Sequence, residues 1–272
     1  MLGLMFGCTE RPHPGKIVFQ SNRDGNFEIY SMKDDGSALK RLTNSPSYDV
    51  SPSWSPDGSH IVFASDRDGN WEIYSMEADG SRVKRLTSPP ASSFSPSCTT
   101  DGTRIVFVST RDVVNGELYL MNTVGGDVQR LTRTSAVKDV PVMTSDGKAI
   151  LYAETRQEGN AIVAFVMSDG TISVLTPSLY TATTPRCSPD GSLVLFAATN
   201  NGRSSVYTMT PRGENLKCLT STADDCRTPA WMGSTKTIVY SKNGGLYMLS
   251  LDTQKEVLLS NKGDSSPNWI GN

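Results

Sequence analysis

Histidine, the side chain that most often serves as a general base in enzymes, is nearly absent from this chain. Its two histidines are His13 and His60, and the sequence contains no Gly-x-Ser-x-Gly motif. A Ser-His-Asp triad requires a histidine within hydrogen-bond reach of the serine and a third group that orients it. The sequence therefore favours a non-catalytic protein over an enzyme, and we assign no catalytic residue.

Three glutamates recur at equivalent places, each followed by an aliphatic residue and a tyrosine: Glu28, Glu72 and Glu117. Paired carboxylates can carry out acid–base catalysis when they face each other across a substrate. The regular spacing of these three instead places them in successive copies of one repeated unit. We expect them to have the same structural role in each copy.

Two aspartate-rich segments, residues 22–26 and 66–70, resemble fragments of calcium-binding loops. A calcium ion needs roughly six to eight oxygen ligands, and the closing glutamate of such a loop is missing here. Asp-Gly pairs are typical of tight hairpin turns, because glycine adopts positive φ and aspartate binds the local backbone. We predict turns in which Arg67 and Asp66 form salt links along the blade rim, and we expect neither a metal nor a cofactor.

The five cysteines fall into three groups. Cys98 and Cys187 occupy the position that Trp54 has in another copy of the repeat, so we expect buried, unpaired thiols. Cys218 and Cys226 flank one loop, so they could form a disulfide or remain two free thiols, and the sequence does not decide between these alternatives. Cys8 ends a short apolar run and is a candidate lipidation site in a truncated lipoprotein signal; the alternative is a chance apolar tail.

The elements that position these residues repeat along the chain. Apolar runs begin at Ile17, Ile61, Ile105, Ile150, Val194 and Ile238, with spacings of 44, 44, 45, 44 and 44 residues. A period of about 40 to 45 residues with several short strands is typical of β-propeller blades. We predict an all-β, six-bladed propeller of four-stranded antiparallel blades.

The second copy shows the pattern of one blade most clearly. After Trp54 and a Pro-Asp-Gly turn come strands over residues 61–65, 71–76 and 83–87. The run from Ile61 to Ala64 is apolar on both faces, as expected for a strand between two neighbouring blades.

The two ends of the repeat predict how the ring closes. The first copy starts near residue 14 without an innermost strand, and residues 266–270 repeat that strand with nothing after it. We expect the C-terminal strand to complete the N-terminal blade, which removes an open sheet edge. The predicted domains are a leader or tail over residues 1–13 and the propeller over residues 14–272.

The residues of the second copy also carry a family resemblance. Residues 54–58 (WSPDG), 61–76 (IVFASDRDGNWEIYSM) and 85–87 (RLT) resemble the WD-like repeat of TolB-type propellers, over roughly residues 14–272. The resemblance implies the fold and a protein-binding role in the bacterial cell envelope. We expect the given residues to hold the propeller without the N-terminal α/β domain of TolB. Similar repeats occur in prolyl-oligopeptidase propellers and in oligogalacturonide lyases. The lyases bind a metal through several histidines, and the two histidines of this chain are too few for such a site.

Composition narrows the choice of partner. The net charge is −2, which argues against nucleic acid, since that partner requires a basic surface. No apolar stretch approaches the roughly 20 residues of a membrane helix, so contact with a membrane would come only through a lipid on Cys8.

The loops that lead into the innermost strands vary most between copies, and loops on a rigid scaffold commonly carry binding sites. We expect them to bind a protein segment or a glycan at the mouth of the central channel, in a monomer located in the periplasm or at the outer membrane. The alternative is a carbohydrate-active lyase or hydrolase that works in the channel. The candidate binding residues are Tyr48, Asp49, Phe94, Lys138, Asp139, Tyr180, Asp225, Arg227 and Asp264.

Overall fold

The computed structural model describes residues 15–177, 181–200 and 202–271. These residues form 24 strands in six four-stranded antiparallel sheets, which are the six predicted blades. The strands of each blade, from the innermost outward, have the following bounds. Blade one contains β24 (Asp264–Ile270), β1 (Lys16–Ser21), β2 (Glu28–Lys33) and β3 (Lys40–Arg41); blade two contains β4 (Asp49–Trp54), β5 (His60–Ser65), β6 (Glu72–Glu77) and β7 (Lys84–Arg85); blade three contains β8 (Ser93–Cys98), β9 (Arg104–Ser109), β10 (Glu117–Asn122) and β11 (Gln129–Arg130).

The remaining three blades follow the same order. Blade four contains β12 (Lys138–Met143), β13 (Ala149–Arg156), β14 (Gly159–Val166) and β15 (Ile172–Val174); blade five contains β16 (Thr181–Cys187), β17 (Val194–Asn200), β18 (Arg203–Met209) and β19 (Lys217–Cys218); blade six contains β20 (Cys226–Trp231), β21 (Thr237–Lys242), β22 (Gly245–Ser250) and β23 (Glu256–Ser260). The described residues include no helix that could cross a membrane.

The hydrophobic core lies between the blades. The second strand of every blade is buried on both faces; in β5, Ile61, Val62 and Phe63 are at most 3% exposed. Side chains of adjacent blades form six apolar clusters, such as the one that joins Val18 and Ile29 of blade one to Phe63 of blade two. Because each cluster draws on two blades, no blade buries its apolar surface alone.

The ring closes as the sequence predicts. Strand β24 pairs with β1 in antiparallel register, with Ile17 opposite Trp269 and Ser21 opposite Asp264. Blades six and one share an apolar cluster that includes Ile17 and Val239. The first blade therefore has its full set of four strands.

The Pro-Asp-Gly turns join the innermost strand of a blade to the next strand. Asp57 accepts hydrogen bonds from the Ser55 hydroxyl at 2.6 Å and the Ser59 amide at 3.1 Å, and these bonds lower its pKa to about 2. Gly58 follows at φ 69°, a conformation that favours glycine. The same turn recurs at Asp101, Asp146 and Asp190, which explains the regular turn signal of the sequence.

Every innermost strand contains a β-bulge at the residue before its proline. The bulge residues have φ between 45° and 53° and are Ser51, Ser95, Val140, Thr184, Thr228 and Ser266. The register between the first and second strands of each blade shifts at this point. A bulge bends its strand and re-aims side chains, and these six residues line the middle of the central channel.

Candidate functional site

The six innermost strands surround the central channel, each contacting its two neighbours around the ring. We call the side formed by the loops that lead into these strands the upper face, and the side formed by the turns that leave them the lower face. Between the faces, the bulges narrow the channel to a cavity of about 70 Å³. A ligand of ordinary size therefore has to bind at one of the two mouths rather than in the middle.

Buried ion pairs anchor the loops of the upper face in blades one and two. Arg67 donates to both carboxylate oxygens of Asp49, at 2.8 and 2.7 Å, and Arg23 donates to Asp264 at 2.6 Å. Asp49 and Asp264 are buried, and burial raises the pKa of Asp49 against the opposing effect of Ser65 and Arg67. Arg67 thus forms its salt link with Asp49, which is 18 residues away in the chain but adjacent across the blade. Asp66 instead accepts a hydrogen bond from the Tyr48 amide at 2.8 Å.

Aromatic rings complete these anchors. The guanidinium of Arg67 lies 4.8 Å from the ring centre of Tyr74 and 5.7 Å from that of Phe63. Arg23 stacks in the same way on Phe19 and Tyr30. Cation–π contacts of this kind hold each arginine in place beneath its loop.

Blades three and four share a different anchor. Lys138 takes the position that Asp49 has in blade two, and its Nζ lies 3.0 Å from Glu117 Oε2 on the neighbouring blade. Both side chains are fully buried, and Nζ also donates to Thr134 Oγ1 and the Ala136 carbonyl. Asp49, Lys138 and Asp264 thus fix the upper face from below.

The exposed candidates lie around the mouth itself. Tyr48 is 48% exposed and lies against Phe27, with 6.2 Å between ring centres. Asp139 is exposed and accepts a hydrogen bond from Ser95 at 2.5 Å. Arg227 is exposed and pairs with half-buried Asp225 at 3.0 Å.

The other candidates have different settings. Phe94 is half-buried and packs against the apolar clusters on both sides of blade three. Tyr180 and Cys8 lie outside the described residues.

The three repeated glutamates are fully buried at the blade interfaces. Each accepts a hydrogen bond from the hydroxyl of a threonine in the following turn, namely Thr43, Thr87 or Thr132. The same threonine hydroxyl accepts from the backbone of the residue after the glutamate. This repeated bridge gives the glutamates the structural role that their spacing predicts.

The aspartate-rich turns are held by aromatic and basic side chains. Asp68 accepts from the Tyr74 hydroxyl at 2.5 Å and from Arg85 at 2.7 Å, and Asp24 accepts from Tyr30. Within the described residues, no three His, Cys, Asp or Glu side chains form a group that could hold a metal ion.

The two sides of the lower mouth are lined by different types of side chain. Blades six, one and two place Trp231, Trp269 and Trp54 at the ends of their innermost strands, and blades three, four and five place sulfur side chains there. These residues line a cavity of about 350 Å³, together with Arg186. The sulfur side chains are Cys98, Met143 and Cys187.

The cysteines differ in exposure. Cys98 and Cys187, which we expected to be buried, are half-buried and border the lower cavity, and burial raises the pKa of both thiols to about 12. Cys218 is exposed and Cys226 is buried, and both are free thiols.

The chain matches the family of TolB beta propeller domains over residues 3–113 and 69–236. It is 47% identical over 47 residues to the Tol-Pal system protein TolB of Geobacter sulfurreducens, which is 17% of this chain and 11% of that protein. It is 54% identical over 43 residues to a TolB homolog of Chlorobium luteolum, which is 16% of this chain and 10% of that protein. The matched segments therefore span about a tenth of the length of these relatives.

Solved structures show the same fold at low sequence identity. TolB from Acinetobacter baumannii superposes with a TM-score of 0.83 at 22% identity, covering 94% of this chain and 66% of that one. An oligogalacturonate lyase from Vibrio parahaemolyticus gives a TM-score of 0.58 at 15% identity, covering 90% and 73%. Since the family match extends over most of the sequence and the six blades close into the same ring, the chain belongs to the TolB beta propeller domain family.

Proposed function

We propose that this protein is a non-catalytic binding propeller of the bacterial cell envelope, and that its upper face binds an extended segment of a protein partner. The observation that carries the proposal is the construction of that face. Buried ion pairs at Asp49, Lys138 and Asp264 hold the loops rigidly. A preformed surface loses little conformational entropy when it binds.

The exposed side chains of the upper face suit a peptide. Tyr48 offers a flat ring with a polar tip, and Asp139 and Arg227 offer charges of opposite sign at the channel rim. Half-buried Phe94 and Asp225 border the same mouth, and Tyr180 is proposed as a further contact. Aromatic anchors surrounded by polar groups are typical of protein-binding sites. A relative named as a Tol-Pal system protein supports a partner in the envelope.

The test compares two matched variants in affinity capture from an envelope extract. Asp139→Ala combined with Arg227→Ala removes one acidic and one basic side chain from the upper face. Lys236→Ala combined with Asp252→Ala removes an exposed ion pair of the lower face, 3.1 Å long, and serves as the control. We expect the same partner to be captured by the wild type and the control and lost from the upper-face variant. Equal capture by all three proteins would contradict the proposal.

The glycan and enzyme alternatives predict other results. A glycan ligand would be recovered by binding to a carbohydrate array that loses signal in the Tyr48→Ala variant. A lyase or hydrolase would turn over polyuronides, and its activity would fall when Asp139 or Asp225 is changed to alanine. Since similarity to the Vibrio lyase extends only to the fold, a binding role has the stronger support.

Location and oligomeric state belong to the same proposal. We propose a monomer in the periplasm or at the outer membrane, with a lipid on Cys8 as the attachment to the membrane. Mass spectrometry of the protein purified from membranes should show the added acyl mass, and Cys8→Ser should abolish it. An unmodified Cys8 in membrane-bound protein would remove the lipid from the proposal.

A further inference from the structure

The cavity of the lower face has the features of a ligand-binding site. Its volume of about 350 Å³ is at the small end of the range for small-molecule sites, about 300 to 1,000 Å³. Three tryptophans form one wall, and Cys98, Met143 and Cys187 form the other. Sulfur and indole side chains are both polarisable, and together they favour a flat or branched apolar body.

One cation extends into this apolar setting. The six equivalent positions of the innermost strands hold Ser53, Ser97, Val142, Arg186, Ala230 and Asn268, so the channel has a single charged residue at this level. Arg186 lines both the narrow middle of the channel and the lower cavity. The described residues that line the lower cavity include no acidic side chain.

The guanidinium of Arg186 is poorly satisfied. Its Nη1 donates to the carbonyl of the preceding Pro185 at 2.9 Å, and its Nε is buried without a hydrogen-bond partner. No ion pair involves Arg186 among residues 15–177, 181–200 and 202–271. Burial lowers its pKa to about 10, although Cys187 and Asp139 act in the opposite direction. Arg186 is half-buried as a residue, and a buried guanidinium nitrogen without an acceptor costs free energy. An anion that paired with the guanidinium would remove part of that cost.

We propose that the lower cavity binds a small monocarboxylate, with its carboxylate on Arg186 and its aromatic or branched aliphatic body among the tryptophans and sulfur side chains. A planar guanidinium binds a carboxylate through two parallel hydrogen bonds. A single cation matches one negative charge, so polyanions such as polyuronides fit this site poorly. The site is distinct from the upper face and is independent of the partner proposed there.

Tryptophan fluorescence reports directly on the cavity. The protein has four tryptophans, of which Trp54, Trp231 and Trp269 line the cavity and Trp71 lies outside it. Phenylacetate is the probe, with phenylacetamide as its neutral analogue and acetate as the anion without an apolar body. We expect a saturable fluorescence change with phenylacetate and at least tenfold weaker binding of both analogues.

Two variants test the two halves of the site. Arg186→Gln removes the charge and should weaken phenylacetate binding at least tenfold, whereas Arg156→Gln, a matched change at an ion pair of the upper face, should leave it unchanged. Cys98→Trp keeps Arg186 and fills the cavity with the side chain that blades one, two and six carry there, so it should also block binding. It keeps the test decisive if Arg186→Gln fails to fold.

Three results would overturn the site. They are the absence of a saturable change in the wild type, undiminished binding in folded Arg186→Gln, and equal binding of phenylacetate and acetate. Tyr48→Ala and Arg227→Ala should bind phenylacetate normally, so failure of this site and failure of the upper-face proposal are distinguishable.

Discussion

Proline at position 89 changes the surroundings of one buried carboxylate. In blades one and three, the glutamate Oε1 accepts a backbone N–H from Ser45 or Thr134, at 2.7 Å in both cases. Pro89 occupies the same position after Glu72 and has no N–H to donate. Glu72 Oε1 is accordingly buried without a partner among the described residues. Glu72 thus differs from Glu28 and Glu117, which share its local sequence context, because the residue 17 positions later is a proline.

The first prediction compares glutamine substitutions at two of these sites. Glu117→Gln leaves the buried Lys138 without its counter-charge and should lower the free energy of unfolding by about 3 kcal/mol. Glu72→Gln removes a carboxylate that lacks half of its partners and should change the free energy by less than about 1 kcal/mol. Urea denaturation of both variants measures the difference. Equal destabilisation would contradict the difference in partners between these two buried carboxylates.

The second prediction concerns the pH dependence of the same site. Burial raises the pKa of Glu72 above its usual value of 4.5. The folded state therefore retains a proton that the unfolded state loses, so the destabilising effect of Glu72 is complete above its folded pKa and vanishes below about 4.5. The wild type should gain stability relative to Glu72→Gln as the pH falls through this window. Urea titrations from pH 7 to pH 4 measure it, and parallel curves for the two proteins would count against a raised pKa.

At the scale of the strands, most of the fold could be predicted because its signals are local. The apolar runs and Pro-Asp-Gly turns define the second strands and their hairpins from a few neighbouring residues. The outermost strand of blade two is shorter than predicted, Lys84–Arg85 instead of residues 83–87, because an edge strand has a pairing partner on one side only. The upper-face anchors could not be assigned, since each joins residues from different strands.

The β-bulges also could not be predicted from the sequence. A residue before proline normally adopts the β region, yet all six bulge residues have positive φ. Tertiary contacts stabilise this conformation. The Ser51 amide donates to Gln20 of the preceding blade at 2.8 Å, and the Ser266 amide donates to Thr228 of blade six at 3.1 Å.

The third prediction tests the strain of one bulge. Val140 is β-branched and has φ 46°, a conformation that costs an L-residue roughly 1 to 2 kcal/mol. Val140→Gly should therefore raise the free energy of unfolding by about 1 kcal/mol. Val142→Gly in the same strand relieves no positive-φ strain and should lower the free energy of unfolding. Thermal and urea unfolding of both variants give the comparison, and destabilisation by Val140→Gly would show that the strain is negligible.

At the scale of the whole molecule, closure by β24 determines whether a sheet edge is exposed. The strand supplies the Asp264 partner of Arg23, and Trp269 packs in the cluster between blades six and one. Without it, β1 would present unpaired backbone groups to other molecules. Closure should therefore affect solubility as well as stability.

The fourth prediction concerns the removal of strand β24. Deletion of residues 264–272 should make the protein form larger oligomers or aggregates than the full chain does, as measured by light scattering after size exclusion. A synthetic peptide of residues 263–271 should restore the size of the full chain by pairing with β1. The same peptide with its residue order scrambled serves as the control. A truncated chain that forms no larger species than the full chain in the absence of peptide would show that closure is dispensable.

The pairing of β1 with β24 also determines the face of the molecule from which anything tethered to its ends extends. Gly15 and Gly271 lie side by side at the lower face, and a Cβ placed on Gly271 would be 3.2 Å from the Gly15 Cα. The segment from Cys8 to Gly15 reaches at most about 25 Å when fully extended. If Cys8 carries a lipid, the tether attaches on the lower-face side and keeps that side within about 25 Å of the bilayer. The upper face is then the side farther from the attachment point, where a partner can approach.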